Sequence, residues 1–469
     1  MQIQLLENKR KPTRTISGVT PLTVVVKPLS CRWRCSYCPT FENVPKSYTP
    51  LSPAIMRAIP LEYDPGKQVA ARLKAFEYMN HPADKIELIL IGGTFLDPGS
   101  CDVDYQYGFI KSCYDALNGM KSSDLEEAKK INENTKHRCV ALCIETRPDV
   151  CGEGEINRML EFGTTRCELG VQAADNNIYK KTNRGHSVKD VVEATQRLKD
   201  SAFKTGYHIM PGLPGSSVEK DIEMYKEIFD NPDFRPDQVK IYPTQVVEGT
   251  KLAKEAAEGK FKTYNHDKLL YLISELKKLT PRYCRIMRIM REIPSTFMSE
   301  KPDRLDFRKV VADELKRKGK KCQCIRCREV GFALREGKKV GVKIKLKKIE
   351  YEASKGNEIF LEYVNEDDVL FALCRLRVPF RPFRKELDEK TLLVRELHVY
   401  GPQVVLDKKE DKAWQHKGLG KGLMEKAEEM ANESGCRKIA VISGVGVREY
   451  YRNLGYKLDG DYMIKKFNN

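Results

Sequence analysis

Short apolar runs alternate with amphipathic stretches between about Leu22 and Pro243. In the intervening stretches apolar positions recur at helical spacing, as at Val191, Thr195 and Leu198. Repeated strand–helix units of this kind predict a parallel sheet with helices outside, in the form of a complete or partial barrel. The predicted strands are 22–27, 86–91, 139–145, 167–171, 207–210 and 239–242.

The C-terminal part of the chain has a different pattern. Apolar runs predict strands at 370–378, 392–399, 438–443 and 456–464. A helix is predicted over 418–434, where Leu419, Leu423 and Ala427 share one face, and a short helix over 447–454. This pattern predicts a compact α+β module after the α/β barrel.

Length and charge divide the chain further. A chain of 469 residues is too long for one ordinary core. Of the formal net charge of +17, the segment 282–348 carries +14, from 22 Lys and Arg against 8 Asp and Glu. Such focusing favours a polyanionic partner, and a solvated basic linker is the alternative. We expect a basic N-terminal arm at 1–20, a barrel domain at 21–281, a basic linker at 282–348 and the α+β domain at 349–469.

Cysteine usage and hydropathy suggest a compartment. No apolar run is long enough to span a bilayer, and the N-terminus has no signal-like apolar core. Fifteen cysteines, an odd number, favour metal ligands and buried thiols over a disulfide framework. We therefore expect a cytoplasmic protein with no membrane association.

Three cysteines follow the first predicted strand as C-x3-C-x2-C, at Cys31, Cys35 and Cys38. Three thiolates on one loop can hold three irons of a 4Fe–4S cluster and leave the fourth iron open. The spacing resembles that of the radical S-adenosylmethionine (SAM) superfamily, in which the open iron binds SAM. A zinc site or three coincidental thiols are the alternatives.

The end of the second predicted strand supports this resemblance. Gly92 and Gly93 stand where backbone must approach a ligand closely, and they resemble the superfamily's glycine motif for the methionine amino group. Glu145, Glu168 and Gln172 lie near other strand ends and can line the same cavity, although each is equally well explained as an ordinary surface group.

A second cysteine group, Cys322, Cys324 and Cys327, lies inside the basic segment. Tetrahedral zinc takes four ligands, and only three are local. Cys284 or a histidine can supply the fourth. Cationic neighbours lower thiol pKa and favour metal binding. We interpret the group as a structural zinc site, with a reactive, metal-free thiol group as the alternative.

Glycines open the helix of the α+β module, in the order Gln415, Gly418, Leu419 and Gly420. Exposed amides at a helix N-terminus bind a pyrophosphate through hydrogen bonds and the helix dipole. The string resembles the coenzyme A motif Q/R-x-x-G-x-G/A of GCN5-related N-acetyltransferases (GNAT). The strand before it and the Tyr450-Tyr451 pair after it fit the same resemblance. An ordinary glycine-initiated helix is the alternative.

Longer strings resemble one family across nearly the whole chain, the catalytic Elongator subunits, which are tRNA uridine carboxymethyl-forming acetyltransferases. The resemblance implies a radical SAM partial (β/α) barrel fused to a GNAT domain, with a zinc-binding basic linker. The strings include Glu145-Thr-Arg-Pro-Asp149, Glu168-Leu-Gly-Val-Gln172, Asn183-Arg-Gly-His186, Tyr207-His-Ile-Met-Pro-Gly-Leu-Pro-Gly215, Lys240-Ile-Tyr-Pro243 and Ala440-Val-Ile-Ser-Gly-Val-Gly446.

The resemblance also implies site residues. Cys31, Cys35 and Cys38 would hold the cluster, and Lys85 and Tyr451 would be catalytic. Lys85 would reach acetyl-coenzyme A (acetyl-CoA) from the barrel domain, so the two domains would face each other. The acetyl-CoA site would comprise Lys85, Glu396, Leu397, His398, Val399, Gln415, Gly418, Leu419, Gly420, Lys421, Tyr450 and Tyr451.

The implied reaction installs a carboxymethyl group on carbon 5 of the wobble uridine. The cofactors would be a 4Fe–4S cluster, SAM, acetyl-CoA and zinc. The segment 282–348 and the arm at Lys9, Arg10 and Lys11 would hold the tRNA anticodon stem–loop by its phosphates. Accessory subunits or a homodimer are compatible with this reading, and the reductant is unknown.

Two other functions fit parts of the sequence. A protein lysine acetyltransferase would keep the iron–sulfur cluster as a structural element only. A non-catalytic tRNA-binding scaffold would use acetyl-CoA as a signal. The glycine motif beside three cluster cysteines favours the radical enzyme.

Overall fold

The first half of the protein is built on a seven-stranded parallel sheet. The computed structural model describes residues 16–299, 307–341, 343–401 and 418–467. Strand order follows chain order, and the sheet curls into a half-barrel. The strands are β1 (Thr20–Val25), β2 (Lys85–Ile91), β3 (Arg138–Thr146), β4 (Arg166–Gln172), β5 (Lys204–Ile209), β6 (Gln238–Ile241) and β7 (Arg285–Ile289).

Helices connect successive strands and cover the outer face of the sheet. Many begin where a side chain accepts a hydrogen bond from the helix's first-turn amides, as Asp64 does from Lys67 and Asp102 from Tyr105. The helices are α1 (Pro53–Ala58), α2 (Pro65–Tyr78), α3 (Val103–Asn118), α4 (Leu125–Asn132), α5 (Glu153–Glu161), α6 (Asn176–Lys181), α7 (Val188–Asp200), α8 (Val218–Asp230), α9 (Lys251–Ala257) and α10 (His266–Leu279).

The seventh strand lies inside the segment 282–348, which the sequence analysis treats as a linker. Arginines interrupt its apolar pattern at Arg285 and Arg288, which is why the pattern did not predict a strand. Arg285 is buried and ion-paired with Glu329. Three short helices follow, α11 (Phe307–Arg317), α12 (Ile325–Arg328) and α13 (Val330–Arg335).

The second domain is a mixed seven-stranded sheet with the order β13-β14-β12-β11-β10-β9-β8. The hairpin β8–β9 was not predicted, and the predicted strand 456–464 is itself a hairpin that turns at Gly460. The elements are β8 (Ile344–Ala353), β9 (Gly356–Asn365), β10 (Leu370–Val378), β11 (Thr391–Val399), α14 (Leu419–Glu433), β12 (Lys438–Val441), α15 (Arg448–Arg452), β13 (Lys457–Asp459) and β14 (Tyr462–Lys466).

The second domain packs against the amino-terminal ends of the first sheet's strands. Gly444 and Gly446 lie directly on the start of β3, where a Cβ on Gly444 would overlap the Val140 carbonyl oxygen. Arg395 of β11 forms a 2.6 Å ion pair with Asp237, the residue before β6. Lys204, the first residue of β5, forms a 2.5 Å ion pair with Glu396.

The contact between the domains is unusually rich in buried charge. Four cations and three carboxylates with fully buried side chains pair at this contact, and two of the carboxylates, Asp237 and Glu358, each pair with three of the cations. Because separating such pairs would leave buried charges without partners, the domains are held in one relative position. These residues are Lys199, Arg375, Arg377, Arg395, Asp200, Asp237 and Glu358.

None of the helices in the described ranges has the length and apolar character needed to cross a membrane.

Candidate functional site

A cavity of about 490 Å³ opens at the carboxyl ends of the first sheet's strands. Its wall includes all three predicted cluster ligands, Cys31, Cys35 and Cys38, together with Gly92 and Gly93. Both glycines have positive φ (119° and 65°), and a Cβ on Gly92 would lie 3.2 Å from the Val26 carbonyl oxygen. The close approach at Gly92 is to the neighbouring backbone of Val26, and a Cβ on Gly93 would meet no protein atom within 4 Å, so approach to a ligand stays a prediction.

The cysteine loop is held by the segment that follows α6. The Ser36 amide donates to the Thr182 carbonyl oxygen at 2.9 Å, and the Asn183 side chain donates to the Arg34 carbonyl oxygen at 2.9 Å. Arg184 donates from Nη1 to the Cys35 sulfur at 3.6 Å and from Nη2 to the Gly170 carbonyl oxygen at 2.5 Å. Arg184 thus connects the Cys35 thiol to strand β4.

Trp33, on the same loop, lies between two guanidinium groups. Arg147 is 3.9 Å and Arg32 4.5 Å from the ring centroid. A Cβ on Gly185 would approach the indole at 2.8 Å, so glycine there lets the loop pack closely.

The three thiols form a donor set suited to an iron–sulfur cluster. Burial, together with negative charge on Cys35 and Cys31, raises the pKa of the Cys38 thiol to about 11. Thiolates that disfavour one another in this way are stabilised by bound cations, and soft sulfur donors are the ligands of such clusters. The residues present therefore fit the cluster that the fold implies.

Four charged or titratable side chains at strand ends face the same cavity. Lys240 forms ion pairs with Glu145 (2.7 Å) and Glu168, and His208 lies 2.9 Å from Glu168. Burial alone would raise the pKa of Glu168, but Lys240 and the hydrogen bond from His208 hold it well below its usual range. Glu168 is therefore an anion in a cavity otherwise rich in cations.

Sequence reasoning proposed Glu145, Glu168 and Gln172 for this cavity but missed its cations. Arg166, His208 and Lys240 also line it. The signal was available, because charged residues stand at alternate positions of otherwise apolar strands, as in Lys204 and His208 of β5. Such residues share the face that the half-barrel encloses.

In the second domain, the predicted acetyl-CoA residues fall on two neighbouring elements. Gly418 is the N-cap of α14 with φ 77°, and a Cβ on Gly420 would lie 3.1 Å from the Tyr450 hydroxyl. Leu419 begins the helix, and Lys421 is exposed. Gln415 lies outside the described residues.

Strand β11 extends past the end of β12, since their pairing stops at Val394. Beyond this point Leu397 and Val399 pack towards α14. Glu396 and His398 face the half-barrel instead, where they contact Lys204 and the Ser17 carbonyl oxygen. The four predicted residues of β11 thus contact both domains, two towards α14 and two towards the half-barrel.

Lys85 and the tyrosine pair occupy different surroundings. Lys85 begins β2 and is paired in register with Arg138, which packs against Gly446 of the second domain. Burial lowers the pKa of Lys85. Tyr451 is buried in the second domain's core, whereas Tyr450 is 38% exposed. Lys85 thus lies at the edge where the domains meet.

The second cysteine group also comes together. The sulfur atoms of Cys322, Cys324 and Cys327 lie within 4.8 Å of one another. Hydrogen bonds from Cys322 and Cys327 hold the pKa of Cys324 well below its ordinary value. Within the described ranges, no fourth ligand joins the group, and Cys284 contributes its backbone oxygen to the Ile325 amide.

The sequence matches family descriptions over both domains. The Radical SAM superfamily matches residues 26–228, the Radical_SAM C-terminal domain 236–317, and the Acetyltransferase (GNAT) family 336–456. Together with the half-barrel and its cysteine-lined cavity, these matches define a radical SAM enzyme fold joined to a GNAT acetyltransferase fold.

Similarity to individual proteins shows which family within this class the chain belongs to. The tRNA uridine(34) acetyltransferase of Dehalococcoides mccartyi is 51% identical over 97% of this chain and 99% of its own length. Elongator complex protein 3 of Homo sapiens is 40% identical over 97% of this chain and 86% of its own length. A solved structure of the archaeal Methanocaldococcus infernus Elp3 with an N-terminal deletion is 48% identical, with a TM-score of 0.86, over 97% of this chain and 100% of that one. The chain belongs to the family of tRNA uridine(34) acetyltransferases and Elongator complex protein 3.

Proposed function

We propose that this protein is a tRNA carboxymethyluridine synthase. It would use SAM-derived radical chemistry and acetyl-CoA to install a carboxymethyl group on carbon 5 of the wobble uridine. The observation that carries the proposal is the cavity in which three cysteine thiols lie beside a glycine pair and charged strand ends. A cluster with a purely structural role would not require an open, charged cavity of about 490 Å³ beside its ligands.

Cys31, Cys35 and Cys38 would hold the cluster, and Gly92 and Gly93 would receive SAM. When bound, the reduced cluster and SAM would supply a 5′-deoxyadenosyl radical, the chemistry needed to replace one methyl hydrogen of the acetyl unit by a bond to uracil carbon 5, whose own hydrogen would leave as a proton and an electron that balances the one used to cleave SAM. The target base must leave its stack to enter the cavity.

The acetyl-CoA site would lie between β11 and α14. Gly418, Leu419, Gly420 and Lys421 present the helix N-terminus to the pyrophosphate. Glu396, Leu397, His398 and Val399 would line the pantetheine, with Lys85 approaching from the first domain. Burial raises the pKa of Tyr450 to about 12, so this hydroxyl keeps its proton at neutral pH and can donate. Tyr451, beside it, is proposed as the donor to the leaving thiolate.

The tRNA would be held by the basic segment 282–348 together with the arm at Lys9, Arg10 and Lys11, which lies outside the described residues. From Lys309 to Lys348, twelve Lys and Arg side chains are exposed. Other cations of the segment form ion pairs inside the protein: Arg282 and Arg328 pair with Glu362, and Arg285 pairs with Glu329. The positive charge at the surface is therefore smaller than the sequence suggests. The exposed set is the part suited to phosphates.

We also propose zinc at Cys322, Cys324 and Cys327, which directly follow the exposed Lys320 and Lys321 in the chain, so that the metal would shape that surface. A cytoplasmic location belongs to the same proposal. It is supported by the cysteines, all of which are free. The proposal is compatible with accessory subunits or a homodimer, and it requires a reductant for the cluster.

The decisive experiment gives the anaerobically reduced protein SAM, methyl-labelled acetyl-CoA and tRNA, followed by mass spectrometry of the digested nucleosides. We expect labelled carboxymethyluridine together with 5′-deoxyadenosine, and neither product from a variant with Cys31, Cys35 and Cys38 replaced by alanine. Label on protein lysines with unmodified RNA would instead support the lysine acetyltransferase reading.

A further inference from the structure

The two proposed reaction centres lie at opposite ends of the half-barrel. The cysteine cavity is at the carboxyl ends of the strands, whereas the second domain covers the amino ends. Strand β2, which runs from Lys85 to the glycine pair, has seven residues and so spans roughly 20 Å. Under the proposed function, the two-carbon unit must cross this distance.

A column of paired charges runs through the interior between the two ends. From the cavity, Lys240 contacts Glu145 and Glu168, and Glu168 accepts hydrogen bonds from His208 and Gln238, both at 2.9 Å. The next pair is Arg166 with Glu87; Arg166 also lies 3.4 Å from Glu168. The cavity reaches as far as Arg166.

Beyond this pair the column meets the second domain. Arg166 of β4 is paired in register with Lys204 of β5, so Lys204 lies beside the Glu87–Arg166 pair. Lys204 pairs with Glu396 at 2.5 Å, and Arg375 lies 3.4 Å from the same carboxylate. Glu396 and His398 belong to the strand proposed to line acetyl-CoA. Along this column, the Glu87–Arg166 pair thus lies between the cavity and the Lys204–Glu396 pair.

This interior differs from an ordinary barrel core, which is filled by layers of branched apolar side chains. Here β2, β4, β5 and β6 each place a charged or amide group inside. Gly206 of β5 completes the lining, since a Cβ there would lie 2.8 Å from the Gln238 side chain and 3.1 Å from that of Glu168. Because even a paired buried charge is often no more stabilising than an apolar side chain of similar size, packing alone does not account for this interior.

We propose that the interior of the half-barrel is a passage for acetate, which moves from the acetyl-CoA end to the radical cavity by way of the Glu87–Arg166 pair. This inference rests on the proposed function. Each cation of the column already holds a carboxylate of the protein: Glu396 on Lys204, Glu87 on Arg166 and Glu145 on Lys240. Acetate presents the same group and can exchange with each in turn.

Acetate is also the species that links thioester hydrolysis to the carboxymethyl product. At the acetyl-CoA end, water adds to the thioester carbonyl and the carbon–sulfur bond breaks, which yields acetate, a proton and the coenzyme thiol. A carboxymethyl substituent is acetate less one methyl hydrogen. Acetate that reaches the cavity therefore needs no later hydrolysis, and coenzyme A, which is far too large for the column, stays behind.

The test blocks the column without removing a charge. Gly206→Val should place two methyl groups against Gln238 and Glu168. Three rates are measured with the full chain: release of the coenzyme thiol, formation of 5′-deoxyadenosine, and formation of carboxymethyluridine. We expect release of the coenzyme thiol within threefold of wild type and both other rates at least tenfold lower, because 5′-deoxyadenosine takes its hydrogen from the methyl group that the block holds back. Thr205→Val, on the buried outer face of the same strand, is the matched control and should leave all three rates unchanged.

A second arm supplies methyl-labelled acetate in place of labelled acetyl-CoA. Because acetate can enter from the open cavity, we expect labelled carboxymethyluridine from both wild type and Gly206→Val. Full product formation from acetyl-CoA by Gly206→Val would overturn the passage, and failure of wild type to use acetate would overturn acetate as the form that moves.

Folding is checked by thermal unfolding. If Gly206→Val does not fold, the double variant Glu87→Leu with Arg166→Met, which replaces the ion pair by an apolar plug, takes its place with the same expected rates. Failure of the proposed function is distinguishable, since wild type itself would then make no carboxymethyluridine from either donor.

Discussion

Arg184 connects the half-barrel to Cys35, one of the proposed cluster ligands. It is buried, and its guanidinium donates to the Cys35 sulfur at 3.6 Å. Hydrogen bonds to cluster sulfurs stabilise the more negative, reduced state. We therefore expect Arg184→Gln to lower the midpoint potential of the reconstituted cluster by about 59 mV, the equivalent of a tenfold change in the reduction equilibrium.

The measurement is a redox titration followed by electron paramagnetic resonance. Asn183→Ala is the matched control, because it removes a hydrogen bond to the Arg34 carbonyl oxygen from the same segment but leaves the guanidinium in place. Equal potentials for the two variants would show that Arg184 only positions the loop.

Glu396 makes the free energy of unfolding depend on pH in the acid range. Burial would raise the pKa of Glu396, but Lys204 and Arg375 lower it to about 2, below the unfolded value of 4.5. The carboxylate therefore contributes stability that is complete above pH 4.5 and is lost as the pH falls towards 2. When the pH falls from 5.5 to 3.5, we expect the free energy of unfolding of wild type to fall by about 1 kcal/mol more than that of Glu396→Gln.

Urea unfolding at the two pH values measures this difference. Glu223→Gln, at an exposed position, should follow the wild-type pH dependence. If Glu396→Gln also followed it, the ion pair with Lys204 would not be stabilising the domain contact.

At the scale of elements, the turn after β12 depends on glycine. Gly444 sits against the Val140 carbonyl oxygen, so the second domain can approach β3 only without a side chain there. We expect Gly444→Ala to destabilise the protein by about 1–3 kcal/mol through overpacking. Thermal unfolding measures the loss, and limited proteolysis reports whether the domains separate.

Gly154 in α5 provides the comparison. A Cβ at Gly154 meets nothing within 4 Å, and alanine suits a helix better than glycine. Gly154→Ala should therefore be neutral or slightly stabilising. Similar losses for both variants would indicate that the turn is not a close contact.

At the scale of the molecule, the exposed cations form a surface after α11. Lys316, Lys318, Lys320 and Lys321 are all exposed. Replacing the four by glutamine should reduce tRNA affinity and flatten its dependence on salt, with a log–log slope smaller by about 3 if each lysine neutralises one phosphate. Binding measured at several salt concentrations gives the slope.

Four exposed lysines on the first domain, Lys189, Lys226, Lys251 and Lys260, serve as the control at equal change of net charge. Their replacement by glutamine should alter the slope far less. Equal effects would show that total charge, and not the surface after α11, binds the RNA.

The domain arrangement also belongs to this scale. The buried ion pairs keep the second domain at the amino ends of the strands, and Lys204 and Glu396 connect the two halves. The proposed passage exists only because the domains meet there.

The sequence alone determined the local features. Six strands were predicted because buried parallel strands are continuous apolar runs. Their positions hold to within a few residues in the structure. The cysteine spacing and the glycines of α14 were equally readable, because a loop of eight residues and a helix start are set by neighbouring residues.

Only the tertiary structure decided what depends on distant pairs. The apolar pattern of β7 is interrupted by Arg285, whose charge is neutralised by Glu329, more than forty residues away. Arg184 meets Cys35 across 149 residues, and Lys204 meets Glu396 across 192. A charged residue in a strand is unfavourable by local rules and becomes favourable only when folding supplies its partner, so the interior column could not be predicted from the chain.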